Sequence, residues 1–145
     1  TSIDVATTSI NEYSPDVAVH ELGHSFGNLG DEYTYQQNSS PANSGNCGYA
    51  GCSGWSDLIG QNGVSCMAGG CANGSYYVAE NSVMRELGRP FEEVNERLVC
   101  CVYLRDTGAL PSYCSKFSNI VAFCGGGSGG ASAAPSEYLV APETY

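Results

Sequence analysis

His20-Glu21-Leu22-Gly23-His24, followed a short loop later by Asp31-Glu32, are the residues whose types and spacing can do chemistry in this chain. Two histidines four apart on a helix project from one face with a turn between them, so their ring nitrogens can converge on one metal ion. Glu21 is not a ligand in that arrangement. It is placed to hold a water on the metal and to accept the proton that the water gives up. A site of this kind needs a third protein ligand and an open position, and Asp31 and Glu32 both offer a carboxylate. The expected chemistry is zinc-dependent hydrolysis, of peptide bonds before others. The bland reading is a solvated helix with two surface histidines. His20 and His24 are the only histidines in the chain, so none is spent elsewhere.

The elements that must position these groups are partly readable. Ser14 is expected to cap a helix, Pro15 suits its first position, and Asp16 favours the positive end of its dipole. Val17, Leu22 and Phe26 can pack it, and Gly27 and Gly30 offer a stop and a sharp turn that brings Asp31 back beneath the metal. Ile3 and Val5 alternate with polar neighbours over residues 1–10, which reads as a strand leading into that helix. Residues 31–79 read mostly as loop. Pro90 is expected to open a second helix, with Val94, Leu98, Cys101 and Val102 at helical spacing.

The segment His20-Glu21-Leu22-Gly23-His24-Ser25-Phe26-Gly27-Asn28-Leu29-Gly30-Asp31-Glu32-Tyr33 resembles the active site of the bacterial IgA metallopeptidase family, metzincin-like zinc peptidases. The similarity continues through Trp55-Ser56-Asp57-Leu58-Ile59-Gly60 and the stretch from Gly69 to Tyr77. It returns in Glu80-Asn81-Ser82-Val83-Met84-Arg85-Glu86-Leu87-Gly88-Arg89-Pro90-Phe91 and Val94-Asn95-Glu96-Arg97, covering roughly residues 5–105. The resemblance implies an α+β metzincin-like fold with His20, His24 and a third residue on zinc, Glu21 as general base, and Met84 in a tight turn beneath the metal. Ordinary core packing is the other reading of Met84. Metzincins place the third ligand six residues after the second histidine, where this chain has Gly30. The loop is therefore one residue longer, and Asp31 is expected as ligand ahead of Glu32. The carboxylate not used would orient a ligand from behind, and Glu80 is a more distant candidate. Tyr33 or Tyr77 would serve to stabilise an oxyanion. Immunoglobulin A itself does not follow as the substrate, because substrate choice depends on the walls of the cleft.

Eight cysteines in 145 residues point to an oxidising compartment and a secreted, extracellular protein. Cys47, Cys52, Cys66 and Cys71 allow either a zinc knuckle or two disulfides, and disulfides stapling an apolar-poor segment are the preferred reading. Cys100 and Cys101 are neighbours that seldom bond each other, so Cys114 and Cys124 are their expected partners. Asn38-Ser39-Ser40 and Asn73-Gly74-Ser75 are glycosylation acceptor patterns, weak ones. A formal net charge of −10 disfavours nucleic acid and anionic membranes as partners, and no apolar run is long enough to span a bilayer. No Lys or Arg precedes Arg85, whereas eight Asp and Glu do.

These readings divide the chain into a catalytic portion over 1–124, a Gly/Ser/Ala-rich linker over 125–135 and a short apolar tail over 136–145. Residues 125–145 are expected to dock on another chain or subunit, as an added strand. Only 19 residues precede His20, too few for the N-terminal sheet of a metzincin, so a second chain or a processed precursor is expected to complete the domain. Two functions follow. One is a secreted zinc metalloendopeptidase acting on a protein or peptide. The other is a structural or binding component of an extracellular assembly built on a peptidase-like fold.

Overall fold

A computed structural model describes residues 12–33, 44–48, 50–71 and 75–125. The expected strand at 1–10, both glycosylation patterns in whole or part, the linker beyond Gly125 and the tail fall outside these residues. Among them the chain is α+β. Helix α1 (Ser14–Ser25) is followed by strand β1 (Cys47–Gly48), a 3-10 turn (Ser53–Trp55), strands β2 (Met67–Gly70) and β3 (Ser75–Tyr77), helix α2 (Glu93–Thr107), a second 3-10 turn (Ser112–Lys116) and helix α3 (Ile120–Gly125).

The stretch read as loop therefore holds a small antiparallel sheet of order β1-β3-β2. Cys47 faces Tyr77 across one ladder, and Met67 faces Tyr77 across the other. The register slips between Ala68 and Gly70, where Gly69 takes φ +92°. That is a bulge built on a residue without a Cβ. Strands of two to four residues leave too little alternation to be seen in a sequence full of turn formers.

The helix boundaries differ from expectation at two points. Tyr13 occupies the cap position of α1 and makes no side-chain cap bond, while Ser14 is already helical. Pro15 lies in the first turn, as expected of a residue with no N–H to satisfy. Pro90 does not open α2; its carbonyl accepts from Val83 N at 3.0 Å. Glu92 is the cap, its carboxylate accepting from Val94 N at 2.7 Å and Asn95 N at 2.9 Å. Glutamate is not among the usual capping residues, so the boundary had no familiar signal. Gly108, at φ +69°, ends the helix.

The main core gathers Leu29, Trp55, Val64, Val78, Val83, Met84, Val94 and Leu98. Val94, Leu98 and Val102 form the buried stripe of α2, as their spacing predicts, with Cys101 only partly covered. Four disulfides supplement it: Cys47–Cys71, Cys52–Cys66, Cys100–Cys114 and Cys101–Cys124. The first group of cysteines is thus stapled in two nested bridges and leaves no thiolate for a knuckle. The last two bridges tie α2 to the second 3-10 turn and to α3, building a satellite core around Phe117 and Ile120. Among the described residues no helix is long and apolar enough to cross a membrane.

Candidate metal centre

Helix α1 puts His20 and His24 on one face, and the chain then turns back sharply. The turn does not use glycine where the sequence invited it. Asn28 is the residue with positive φ (50°), whereas Gly27 is needed for space: a Cβ there would lie 2.8 Å from Gly23 O. Asn28 N bonds His24 O and Leu29 N bonds Gly23 O, so the turn is wound directly onto the end of the helix. Gly30 is pinned at both backbone groups by the buried Asn46 amide, Oδ1 accepting at 2.8 Å and Nδ2 donating at 2.9 Å. Asp31 comes next.

The result is a convergence of three side-chain atoms. Asp31 Oδ1 lies 3.1 Å from His20 Nε2 and 3.0 Å from His24 Nε2, and the two Nε2 atoms are 3.1 Å apart. This is the one His/Cys/Asp/Glu group with metal-ligand spacing among the described residues. His20 is buried, and the side chains of His24 and Asp31 keep 28% and 19% of their surface, so the cluster is only partly open to solvent.

Hydrogen bonds behind the cluster decide its protonation. His20 Nδ1 is 2.8 Å from Val83 O and His24 Nδ1 is 2.7 Å from Leu29 O. A carbonyl only accepts, so both Nδ1 atoms carry the hydrogen and both neutral rings present bare Nε2 lone pairs. Two lone pairs and a carboxylate then meet with no hydrogen among them. One added proton can bridge only part of the triangle, and two would set N–H against N–H at 3.1 Å. A cation that bonds all three atoms at once satisfies the geometry, and ligands on a tetrahedral ion at about 2.0–2.1 Å would stand about 3.3 Å apart. The donors fit a metal ion.

Without a metal the same crowding favours protons on the imidazoles. Burial opposes the charged form of His20, but bonds to Asp31 and Val83 outweigh it and raise its pKa. The bond to Asp31 raises that of His24, against burial. Burial would push the Asp31 carboxyl up, yet His20, His24 and the Tyr33 hydroxyl hold it well below the usual carboxylate range.

Glu21 lines a cleft of about 540 Å³ with Val17, His20, Tyr33, Val83, Arg85 and Leu87. Its carboxylate makes no hydrogen bond or ion pair among the described residues, which leaves it available to a molecule in that cleft. Tyr33 stacks over His20 with ring centroids 6.2 Å apart. Tyr77 is engaged elsewhere: its hydroxyl bonds Glu80, and the Arg85 guanidinium covers its ring at 4.3 Å. Glu80 pairs with Arg85 and takes no part in the cluster.

Glu32 is fully buried and does not touch either imidazole. Its Oε1 accepts from Asn46 Nδ2 (3.0 Å), Asn95 Nδ2 (2.9 Å) and Ser82 Oγ (3.2 Å), while Oε2 lacks a well-formed bond. Burial pushes this carboxyl up to about 7, with those three donors pulling the other way. Its backbone closes the same knot, Glu32 N donating to Met84 O at 2.8 Å. Ser82 Oγ in turn accepts from Met84 N at 3.1 Å. Glu32 thus fastens the Asp31 loop to the turn that carries Val83 and Met84. Met84 is wholly buried and lies beneath α1, its Sδ against the backbone of Gly23. Asn46, Ser82, Asn95 and the Val83 and Leu29 carbonyls are the parts of the site that motif spacing could not reveal; buried amides and main-chain acceptors leave no periodic trace.

No protein-family model matches the chain, and no curated protein matches it.

Proposed function

We propose that the protein is a secreted zinc metalloendopeptidase with a metzincin-like catalytic centre, akin to the bacterial IgA metallopeptidases. One observation carries the reading: His20 Nε2, His24 Nε2 and Asp31 Oδ1 converge at 3.0–3.1 Å, with both Nδ1 atoms turned to main-chain carbonyls. Two imidazoles and one carboxylate are a donor set that suits zinc and leaves a coordination position free. Four disulfides fit an extracellular setting.

Zinc, when bound, would supply Lewis acidity to a peptide carbonyl and acidity to water. The chain's own residues do the rest. Val83 O and Leu29 O hold the imidazole tautomers so that Nε2 can ligate. Glu21, unpaired in the cleft, takes a proton from the attacking water and returns it to the leaving amine. Tyr33, bonded to Asp31 and stacked on His20, limits both ligands to one orientation. Met84 props α1 from below, so the spacing of His20 and His24 does not depend on solvent-exposed packing.

A second reading has its own support. Pro15, Ala18, Val19 and Leu22 recur at helical spacing and are all exposed, Leu22 at 53%. An apolar stripe on the outer face of α1 suits a protein that works within an assembly, with another chain completing the domain or acting as its structural partner.

Zinc per chain in native protein never exposed to chelator, together with cleavage of a peptide library by wild type and by Glu21→Gln, tests the choice. About one zinc per chain, cleavage by wild type and none by a zinc-loaded Glu21→Gln is the expected result. Zinc without cleavage would favour the structural reading, and absence of zinc would remove the peptidase.

A further inference from the structure

Arg85 stands in the wall of the cleft beside the candidate metal centre, and three contacts fix its position. Nε donates to Glu80 Oε2 at 2.8 Å, Nη1 donates to Glu32 O at 2.9 Å, and the guanidinium lies 4.3 Å over the Tyr77 ring. Glu32 is the residue next to Asp31, so this guanidinium is bonded to the very loop that delivers the third ligand. Nη2 has no protein partner among the described residues, and the side chain retains 27% of its surface. It is the one Lys or Arg among the described residues that line the cleft, whose other walls are Val17, Val83 and Leu87 with His20, Glu21 and Tyr33.

A guanidinium held rigidly, with unspent N–H groups and an aliphatic approach, is built to take a carboxylate on a short apolar stem. Rigid placement matters, because the ordering cost of a free arginine side chain is already met by Glu80, Tyr77 and the Glu32 carbonyl. The negative charge of Glu21 in the same cleft argues that this is not a general anion site. A carboxylate is accommodated only where it can stand toward Arg85 and away from Glu21, which requires a ligand with a fixed direction, such as a peptide chain.

We infer that Arg85, with Val17, Val83 and Leu87, forms a carboxylate-selecting subsite beside the metal centre, so that preferred peptides carry a carboxylate next to the bond to be cleaved. The inference rests on the peptidase reading for the ligand being a peptide. Two sources share this chemistry: an acidic side chain and a free C-terminus.

The test is calorimetric binding to zinc-loaded and chelator-treated Glu21→Gln protein, which does not depend on turnover. The probes are blocked peptides differing at one position as Glu, Gln or Leu, with that position moved along the chain, and a Gln peptide with a free C-terminus. At one position Glu should bind at least about tenfold tighter than Gln. A preference for the free C-terminus over its amide, with Glu and Gln equal, would assign the subsite to the chain end. Arg85→Met should abolish whichever preference exists. Because Arg85 also supports the Glu32 loop, Leu87→Glu against Leu87→Gln provides the second arm; Leu87 is 41% exposed. The Glu variant should lose the preference and the Gln variant should keep it. Equal binding of all peptides, or a preference unaffected by Leu87→Glu, overturns the inference. Failure of the peptidase reading would look different: no peptide is cleaved by wild type, while the carboxylate preference persists.

Discussion

Gly23 and Met84 meet so closely that a Cβ on Gly23 would lie 2.5 Å from Met84 Sδ and 3.2 Å from its Cε. The residue just before the second histidine is therefore a glycine for want of room, at a helical position where glycine costs about 1 kcal/mol relative to alanine. The sulfur occupies the space that the side chain gives up. Helix propensity has been surrendered to seat Met84 beneath the helix that carries His20 and His24.

Gly23→Ala should for that reason destabilise the protein by about 1–3 kcal/mol in urea denaturation, despite the gain in propensity. Met84→Ala alone should cost about 2–5 kcal/mol through the cavity it opens. In the double variant the new methyl enters that cavity, so the combined loss should be smaller than the sum of the two. Strict additivity would show that Gly23 and Met84 do not constrain each other.

Asp31→Asn replaces one of three converging atoms with an amide that can donate N–H to the bare Nε2 lone pairs. At a pH low enough to protonate the imidazoles, the metal-free variant should be less stable than metal-free wild type, because the carboxylate that holds both ring protons is gone; the difference should shrink as pH rises and the rings become neutral. Zinc affinity should fall at least about a hundredfold, more than the 10- to 100-fold typical of a residue that only orients a ligand. Competition with a chromogenic chelator reads the affinity, and retention of wild-type affinity would exclude Asp31 as a ligand.

Cys47–Cys71 and Cys101–Cys124 span nearly equal separations, 24 and 23 residues. Loop-closure entropy therefore predicts similar stability losses of about 3 kcal/mol when either bridge is replaced by alanines. Their positions differ. Cys47 Sγ lies 3.7 Å from Asp31 O, and Cys71 N bonds Glu32 O at 3.3 Å, so the first bridge clamps the loop of Asp31 and Glu32. Cys101–Cys124 ties α2 to α3, away from the site. Removing Cys47–Cys71 should weaken zinc binding about tenfold, and removing Cys101–Cys124 should leave it within about twofold. Equal effects on zinc would mean the loop holds itself without the clamp.

The gathering of His20, His24 and Asp31, and the pairing of Cys100 and Cys101 with Cys114 and Cys124, were legible because each rests on short-range geometry. A four-residue helical spacing fixes the histidines, and adjacency forbids the vicinal bond. Asp31 brought to the histidines, with Glu32 turned to the core instead, was legible as a preference between neighbours; only the Asn46, Ser82 and Asn95 donors show why Glu32 is held elsewhere. The sheet was missed since two- and four-residue strands paired by disulfides need no apolar alternation to be stable. The start of α2 was misplaced at Pro90 because Glu92 caps through a carboxylate that burial, not sequence habit, makes suitable.

Glu92 also carries a pH signature. Burial and the neighbouring Glu32 charge raise its pKa from 4.5 to about 8, against the pull of the Val94 and Asn95 N–H groups. Between those values the unfolded chain has released the proton and the folded chain retains it. Stability attributable to Glu92 is therefore full below about pH 4.5 and is lost progressively as pH rises toward 8. Glu92→Gln keeps an oxygen to cap α2 and cannot ionise, so it should match wild type near pH 4.5. It should then gain on wild type, by on the order of 1 kcal/mol or more, as pH approaches 8. Urea denaturation of both proteins in chelator at several pH values measures the difference, since the histidine contributions are common to both and cancel. A difference that stays constant from pH 4.5 to 8 would mean that Glu92 is ionised throughout and stabilised by the helix end alone.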